Sequence, residues 1–486
     1  MQQPSQPIGN SGRGPSRELE ITIEKLVPGG EGMARHDGKV IFVPMVLPGE
    51  TVRVRLTESK QDFARGIAVE ILAPSPDRAL PGCSVFGRCG GCDWQHISYE
   101  AQLRFKVAIV KDALKRTGGL EFPGLAIEAG KPWRYRNRIQ VHRGPSGQGG
   151  FRARTSHDVV GVSTCPVSAE AFDRLFPRPV PAGTGAGQPS AEGAGPIRRS
   201  EAAGPEVGDR PRRDARDPDR KDRTDHEGRR FSAWTHTLPD GGERFLISQE
   251  PGLTGPGLLL PPAADASDRG GATNPGLEEH HPSRPVPEYL GPRVQGTEGV
   301  ITAPVLGKTI RFDLRCFFQS NLEMTEKLIP YALDGLSGEE ALDLYCGVGL
   351  FGAFLKDRFA RVLAVEENPI SLEYALGNIG DTQHFLRGRV EDLIREERGP
   401  LASGRPDAVV VDPPRDGLDA AVRDYLIVKR PPKLVYVSCN PVTLARDLKI
   451  LLAAGFVLDD LRLFDFYPQT AHVESVAKLS FAAGAR

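Results

Sequence analysis

A cysteine follows an apolar segment in the last part of the chain. Residues 434–437, Leu-Val-Tyr-Val, are typical of a buried strand, and Cys439 comes two positions later within the sequence S-C-N-P. Asp412 ends another strand-like segment, 408–411, and Glu474 lies on the last segments of the chain. Open α/β sheets bind ligands beyond the carboxyl ends of their strands, so these residues predict a site with a thiol and two carboxylates. A lone buried cysteine that only packs as a small apolar side chain is the alternative.

A glycine-rich sequence opens the same half of the chain. Gly347-Val-Gly-Leu-Phe-Gly352 matches G-x-G-x-x-G after the strand-like segment 341–345, and Glu366 lies nineteen residues beyond the first glycine. This pattern places backbone close to a nucleotide and a carboxylate on its ribose diol. It fits a dinucleotide cofactor and S-adenosylmethionine equally well. The cysteine favours S-adenosylmethionine, because hydride transfer has no use for a thiol there, whereas carbon methylation of a pyrimidine does.

The chemistry of such a methylation explains the set of side chains. Carbon 5 of uracil is a poor nucleophile until a thiolate adds to carbon 6 and turns the ring into an enolate. Carbon 5 then attacks a sulfonium methyl group, and a base must remove the carbon 5 proton before the thiolate leaves. Cys439, Glu474 and the glycine loop supply the thiol, the base and the methyl donor's site. Methylation of an exocyclic amine needs no cysteine, because nitrogen already carries a lone pair.

A second group of cysteines lies in the N-terminal half. Cys83, Cys89 and Cys92 have the spacing C-x5-C-x2-C, and Cys165 follows far downstream before a proline. This is not a zinc-finger spacing, and the two glycines between Cys89 and Cys92 let the backbone wrap tightly around a bulky group. The set favours an iron-sulfur cluster, with structural zinc and unligated thiols as the alternatives. Seven cysteines, an odd number in a large chain, also argue against a disulfide framework.

One stretch has a strongly basic composition. Residues 131–157 contain seven Lys or Arg residues, three interleaved aromatic residues, and no Asp or Glu. Basic side chains neutralise phosphates while aromatic rings stack on unpaired bases, so this stretch is the strongest RNA-binding signal in the chain. A solvated strand-and-hairpin face is the alternative.

The chain is too long for a single core, because cores rarely exceed roughly 250 to 300 residues. Alternating apolar residues and turn signals over 18–72 predict an OB-like barrel, a fold often used for nucleic acid. From residue 324 onward strands and helices alternate, which predicts a doubly wound α/β sheet of about seven strands with the last antiparallel. The predicted divisions are a disordered N-terminus (1–16), the barrel (17–75), a central β-rich domain (76–176 and 231–318), a disordered insertion (177–230), a weakly structured insertion (256–292) and the catalytic domain (319–486).

The overall charge and the hydropathy pattern argue against a globally basic protein and against a membrane-spanning protein. The net charge is −1, so any surface for a polyanion must be local. The segment 1–16 has no apolar leader pattern, and no run reaches the ~20 apolar residues of a membrane span. A cytoplasmic protein that contacts no membrane is expected.

Five ordered motifs together resemble the RNA uracil carbon-5 methyltransferase family. They are C-F-F-Q-S-N (316–321), D-L-Y-C-G-V-G (343–349), D-P-P-R (412–415), S-C-N-P-x-T-L-x-R-D (438–447) and H-V-E-S (472–475). Residues 18–72 resemble the TRAM domain that precedes the catalytic part of this family. The four N-terminal cysteines resemble the ligands of the four-iron, four-sulfur cluster in its ribosomal RNA branch. The resemblance covers nearly the whole chain except the two insertions.

The resemblance implies a role for each matching residue. Cys439 would be the nucleophile and Glu474 the base that removes the proton. Four residues would contact S-adenosylmethionine: Gln319, Tyr345, Glu366 and Asp412. Four would hold the cluster: Cys83, Cys89, Cys92 and Cys165. Phe317 would stack near the target base, and Leu350 departs from the family, in which an Asn often stands at this position.

We therefore expect a monomeric enzyme that makes 5-methyluridine in RNA, with 23S rRNA as the first expectation. A tRNA uridine or RNA cytosine carbon-5 methyltransferase is the alternative among enzymes. A non-catalytic iron-sulfur RNA-binding protein is the alternative of another class.

Overall fold

The computed structural model describes residues 18–144, 149–176, 230–237, 243–249, 300–313, 316–380 and 383–481, with the backbone alone for 230–237 and 243–249. The predicted disordered segments 1–16 and 177–230, apart from Arg230, lie outside the described residues. So does the predicted weakly structured insertion 256–292.

Six strands form the N-terminal domain. They are β1 (Glu18–Thr22), β2 (Lys25–Leu26), β3 (Gly32–His36), β4 (Lys39–Val43), β5 (Thr51–Ser59) and β6 (Phe63–Ala73), in the order β1-β5-β6-β4-β3-β2. Alternation of side chains along β5 buries Val52 and Val54 completely, while Arg53 and Arg55 point away from the core. This is the predicted OB-like domain.

A helix and a short strand connect this domain to the C-terminal sheet. Helix α1 (Tyr99–Ala113) continues in one π-helical turn over Leu114–Gly118 and leads to β7 (Ala126–Glu128). β7 pairs in parallel with residues 462–464 of the C-terminal sheet. Val110 and Leu114 are buried in the apolar core of that sheet. Residues 99–128, which the sequence placed in the central domain, therefore pack on the C-terminal domain.

The central domain contains an antiparallel sheet. Its strands are β8 (Arg138–Arg143), β9 (Gly149–Arg152), β10 (Val159–Gly161), β11 (Arg230–Thr237) and β12 (Glu243–Gln249), in the order β10-β9-β8-β11-β12. A 3-10 helix spans Glu170–Leu175. The hairpin of β13 (Val300–Val305) and β14 (Lys308–Asp313) follows, and its apolar residues join the core of the C-terminal domain.

The C-terminal domain has a sheet of eight strands among the described residues. After β7 these are β15 (Gly338–Leu344), β16 (Phe359–Glu366), β17 (His384–Arg387), β18 (Ala408–Val411), β19 (Lys433–Ser438), β20 (Phe456–Phe464) and β21 (Glu474–Phe481). The order is β17-β16-β15-β18-β19-β21-β20-β7. β15 to β19 are parallel and β21 is antiparallel to its neighbours, as the sequence predicted.

Helices cover this sheet. They are α2 (Leu322–Leu333), α3 (Gly352–Leu355), α4 (Pro369–Ile379), α5 (Val390–Arg395), α6 (Pro400–Ser403), α7 (Ala420–Lys429) and α8 (Pro441–Ala453). Two of them begin with the same sequence signal, an Asn that caps the helix and a Pro in its first turn. Among the described residues, none of the helices has the length and apolar character that crossing a membrane requires.

Candidate active site

The predicted thiol and base lie at the same end of two neighbouring strands. β19 and β21 pair from Lys433 with Ser480 as far as Ser438 with Ser475. Cys439 follows this last pair on one strand and Glu474 on the other, so the two residues are neighbours across the antiparallel pair. Glu474 is buried, with 6% of its surface exposed, and Cys439 is half-buried. The structure thus brings together the two residues that the sequence analysis named as catalytic.

The adjacent strand ends form the crevice at which this type of sheet binds ligands. The chain runs outward from β15 to β17 and then returns to β18 on the other side of β15, so the winding changes direction between β15 and β18. Tyr345 follows β15 with a left-handed backbone (φ 64°), which turns the chain into the glycine loop. Asp412 follows β18, and its N–H donates to the carbonyl of Leu344 over 3.4 Å.

Two carboxylates hold the glycine loop. The N–H of Gly347 donates to Glu366 Oε2 over 3.0 Å, and the N–H of Gly352 donates to Asp343 Oδ2 over 2.8 Å. A side chain at Gly349 could not be accommodated, because a Cβ atom there would lie 2.9 Å from Ile379 and the backbone φ is 81°. The loop is therefore fixed in place from both ends.

The crevice around this loop is rich in acceptors. Burial raises the pKa of Asp412 to about 7, and burial together with the neighbouring charges of Asp412 and Glu366 raises the pKa of Asp343 to about 7. Gln319 Oε1 is buried and has no hydrogen-bond partner among the described residues. Leu350 is buried in the apolar core and offers no polar group. A ligand with positive charge and several donors would suit such a site.

Helix α8 carries side chains that clamp the D-P-P-R segment. Asn440 caps the helix through its Oδ1 and donates from Nδ2 to the carbonyl of Arg415 over 2.9 Å, and the Thr443 hydroxyl donates to the same carbonyl over 3.2 Å. Asp447 is fully buried and accepts from the N–H of Leu418 and from the hydroxyl of Tyr436. These bonds explain why the S-C-N-P motif continues as x-T-L-x-R-D: the later positions fix the neighbouring loop.

Charge and burial set the proton affinities of the two central groups. Burial, together with the neighbouring carboxylates of Glu474 and Asp412, raises the pKa of the Cys439 thiol to about 11, although the exposed Arg415 opposes this shift. Burial also raises the pKa of Glu474 well above its usual 4.5, and the carboxylate of Asp412 adds to this effect. Because its pKa is raised, the Glu474 carboxylate binds a proton more strongly than an exposed carboxylate does, which suits a general base.

The role of Arg415 can be measured on the thiol itself. Replacing Arg415 by methionine is expected to raise the pKa of Cys439, because the cation that stabilises the thiolate is lost. Alkylation of Cys439 by iodoacetamide, followed by peptide mass spectrometry between neutral pH and about pH 10, should slow by about threefold to tenfold. The control is Arg405→Met. Arg405 is exposed and precedes β18, so it lies near the ends of the strands that are opposite to the site. Equal alkylation rates in the two variants would contradict the assignment.

The four predicted metal ligands line one cavity of about 680 Å³ in the central domain. Cys83, Cys89, Cys92 and Cys165 share the lining of this cavity with Arg136, Phe317 and Tyr467. The N–H of Gly91 donates to Cys89 Sγ over 3.4 Å. In the part of the chain that the structure describes, no three His, Cys, Asp or Glu side chains are grouped closely enough to hold a single metal ion. The metal site remains a prediction.

Several basic residues of the stretch 131–157 form ion pairs with carboxylates of the same chain. Lys131 pairs with Glu323, Arg134 with Asp173, and Arg154 with Asp93. Arg136 lines the cavity and has no carboxylate within 4 Å among the described residues; its Nε donates to the carbonyl of Arg138. Phe317, which the sequence placed near the target base, has 69% of its surface exposed at this cavity. Fewer basic side chains are therefore available to bind RNA phosphates than the composition of this stretch suggested.

Two residues of the site were not named from the sequence. Asp343 is the one carboxylate in the buried part of β15, residues 341–344, and its place among apolar residues was the signal for it. Arg415 belongs to the D-P-P-R motif, but only the fold places it near Cys439 and Glu474.

A doubly wound sheet, a glycine loop at its switch point and an OB-like barrel define a Rossmann-like methyltransferase joined to a TRAM domain. Residues 302–481 match the family described as tRNA (Uracil-5-)-methyltransferase, and residues 15–69 match the TRAM domain. An uncharacterized RNA methyltransferase of Thermosynechococcus vestitus is 33% identical over 490 residues, which cover 95% of this chain and 98% of the relative. The 23S rRNA (uracil(1939)-C(5))-methyltransferase RlmD of Pectobacterium atrosepticum is 30% identical, covering 97% of this chain and 96% of the relative. This chain belongs to the RNA uracil-C5 methyltransferase family, and it is an enzyme of that class.

A solved structure shares the fold over nearly the whole chain. The Pyrococcus abyssi tRNA (uracil-54, C5)-methyltransferase in complex with S-adenosyl-L-homocysteine superposes with a TM-score of 0.62 at 24% identity. The match covers 95% of this chain and 99% of the other. The predicted architecture of a TRAM domain followed by a Rossmann-like methyltransferase domain is confirmed.

Proposed function

We propose that this protein methylates carbon 5 of a uridine in 23S rRNA, with S-adenosylmethionine as the methyl donor and Cys439 as a covalent nucleophile. The observation that carries the proposal is the position of Cys439 directly across from Glu474. The two residues lie where β19 ends and β21 begins, beside the crevice of the glycine loop. Methylation of a nitrogen would give no use to this thiol.

The acidic crevice supports S-adenosylmethionine as the donor. Its sulfonium and amino groups are cationic, and its ribose and amino groups donate hydrogen bonds. Asp343, Glu366 and Asp412 would accept these hydrogen bonds and suit the positive charges. We assign cofactor contacts to Gln319, whose Oε1 is otherwise unpartnered, and to Tyr345, Glu366 and Asp412 at the strand ends.

The reaction proceeds in three stages: addition of the thiolate, transfer of the methyl group, and elimination. The Cys439 thiolate forms a bond to carbon 6 of uracil, and the electrons of the C5–C6 double bond move into an enolate. Carbon 5 then takes the methyl group, whose bond to sulfur breaks and leaves S-adenosylhomocysteine. Glu474 removes the carbon 5 proton, the double bond forms again, and the bond from carbon 6 to sulfur breaks. The thiolate is restored, and the proton remains on Glu474.

The Pectobacterium relative, named for a uridine of 23S rRNA and similar along almost its entire length, supports 23S rRNA as the substrate. The test is a map of 5-methyluridine across ribosomal and transfer RNA from cells with and without the gene. Loss of one 5-methyluridine from 23S rRNA is expected. Loss from tRNA instead, or loss of a 5-methylcytosine, would overturn the choice of substrate.

We propose that the four-cysteine cavity holds a four-iron, four-sulfur cluster. A cluster would be bound by Cys83, Cys89, Cys92 and Cys165, which all line the cavity and would supply four thiolates, and it would order the loops that carry them. A tetrahedral zinc ion, with bonds of about 2.3 Å, requires the four sulfurs to be closely grouped. The cavity of about 680 Å³ that the four cysteines line has room for the larger group.

The cluster predicts a visible colour. Protein purified without oxygen should be brown and absorb near ~400 nm, which is typical of thiolate-bound iron. Replacing Cys92 by serine should reduce the absorbance and the iron content together. A colourless protein with stoichiometric zinc would contradict the assignment.

We further propose that the enzyme acts as a cytoplasmic monomer. The barrel (17–75) and the central domain (76–176 with 231–318) would select the RNA, and residues 319–486 would carry the chemistry.

A further inference from the structure

Residues 465–473 join β20 to β21 and end at Glu474. Other parts of the chain hold this β20–β21 loop in place. At its start, Asp465 is fully buried and accepts from Lys106 Nζ over 2.5 Å and from the hydroxyl of Tyr99 over 3.0 Å. Lys106 Nζ also donates to the carbonyl of Tyr467 over 3.0 Å. Helix α1, from the N-terminal half, thus anchors the loop.

Gln469 is the centre of these contacts. It exchanges two hydrogen bonds with Gln102: the N–H of Gln469 donates to Gln102 Oε1 over 2.9 Å, and Gln102 Nε2 donates to Gln469 Oε1 over 3.0 Å. The carbonyl of Gln469 accepts from the N–H groups of Asp93 and Trp94, each over 3.0 Å. Gln469 is buried, and its N–H, carbonyl and carboxamide all have partners that lie before residue 135.

The backbone of Gln469 is held in an unfavourable conformation. Its φ is 68°, in the left-handed region that residues other than glycine and asparagine rarely adopt. The hydrogen bonds from Gln102, Asp93 and Trp94 stabilise this conformation. They therefore determine the direction in which the chain approaches β21.

The side chain of Glu474 depends on this direction. Among the described residues its carboxylate has no hydrogen-bond partner. Asp412 and Arg415 interact with it through their charges, without a hydrogen bond that would fix its orientation. Its position is set by its backbone, which is fixed by the pairing with Phe464 on one side and by the β20–β21 loop on the other. A change in the loop would move the carboxylate relative to Cys439.

We propose that Gln469 is a positioning residue for proton removal: its bonds to Gln102 and to the Asp93–Trp94 backbone hold the Glu474 carboxylate at the target carbon. The inference rests on the proposed function, because it takes Glu474 as the base. It also connects the base to the loop that carries Cys92, since Asp93 follows this cysteine directly. Addition of the thiolate and transfer of the methyl group do not require the Glu474 carboxylate, so they should proceed without this support.

The test uses the full-length enzyme, S-adenosylmethionine, and a 23S rRNA transcript, or the transcript that 5-methyluridine mapping identifies, with hydrogen or deuterium at carbon 5 of its uridines. In Gln469→Ala we expect kcat to fall about tenfold to a hundredfold without a change in KM. The isotope effect on kcat should rise, and the fraction of enzyme present as a covalent adduct with RNA at steady state should rise with it. A purely structural defect would lower the active fraction but leave the isotope effect unchanged.

Three further variants distinguish the effect of the hydrogen bonds from that of the backbone conformation and provide a control. Gln469→Asn tolerates the left-handed backbone and keeps the backbone bonds of residue 469, but its shorter carboxamide does not reach Gln102 Nε2. It should therefore behave like alanine if the side-chain bond matters and like wild type if only the backbone conformation does. Gln102→Ala breaks the same pair from helix α1 and replaces Gln469→Ala if that variant does not fold. Asp112→Asn, on the same helix, removes the ion pair with Lys25 and should leave the isotope effect unchanged.

The outcomes separate the inference from the proposed function. If Glu474→Gln accumulates the adduct but Gln469→Ala and Gln102→Ala show wild-type isotope effects and adduct fractions, the positioning role is wrong. If Gln469→Asn alone retains wild-type behaviour, the side-chain bond between Gln469 and Gln102 is not what holds the base, and the inference is likewise overturned. If Glu474→Gln accumulates no adduct, the proposed function itself fails.

Discussion

Replacement of Cys439 by alanine is expected to reduce methyl transfer by roughly 10⁴-fold or more, because the covalent route to an activated carbon 5 is lost. The remaining groups in the crevice cannot compensate, since none of them adds to carbon 6. The measurement is transfer of a labelled methyl group from S-adenosylmethionine to the RNA substrate under single-turnover conditions.

Two controls accompany this variant. Calorimetry should show unchanged binding of S-adenosylmethionine to Cys439→Ala, because the thiol is not among the assigned cofactor contacts. RNA binding should also persist. Substantial methylation by a correctly folded Cys439→Ala protein would refute the nucleophilic mechanism.

Replacement of Glu474 by glutamine should trap the enzyme on its substrate. The thiolate can still add and the methyl group can still be transferred, but the carbon 5 proton has no base, so turnover should fall by about 10² to 10⁴-fold. Denaturing electrophoresis should show a protein–RNA band that carries the labelled methyl group. The double variant Cys439→Ala, Glu474→Gln should show no such band, and its appearance there would place the covalent bond on another residue.

The same variant has a second, independent signature in stability. The pKa of Glu474 is raised above 4.5 in the folded protein, so the folded state binds a proton that the unfolded state releases once the pH exceeds 4.5. Wild-type stability should therefore fall as pH rises from 4.5 through the folded pKa, by roughly 1.4 kcal/mol for each unit of pH in that window. Glutamine removes this component, so the Tm of Glu474→Gln should exceed that of wild type by a margin that grows with pH. A margin independent of pH would contradict the raised pKa.

Much of the C-terminal domain could be predicted because its signals are local. Apolar segments such as 408–411 and 434–437 are strands in the structure, and the G-x-G-x-x-G sequence forms the expected turn after β15. The proximity of Cys439 and Glu474 follows from two strands whose ends carry the motifs. Each of these features depends on residues that are close in sequence or on the regular winding of the sheet.

Other features depend on distant neighbours, and the sequence did not reveal them. β7 has only three residues and no clear alternation, so nothing local marks it as part of the C-terminal sheet. Lys131 and Arg134 looked available for phosphates, yet Glu323 and Asp173 lie beside them in the fold. The bonds between Gln102 and Gln469 span 367 residues of sequence. Tertiary contacts of this kind leave no trace in a pattern of single residues.

The edge position of β7 has a consequence for how the protein can be divided. A fragment that begins near residue 300 would retain the matched methyltransferase region but would leave the N–H and C=O groups of β20 unpaired at residues 462–464. It would also uncover the apolar surface that Val110, Leu114 and Leu125 protect. Such a fragment should aggregate through its open strand edge. The matched segment 302–481 therefore needs residues 99–128 to complete its sheet and its core, and we expect it to fold only together with that earlier part of the chain.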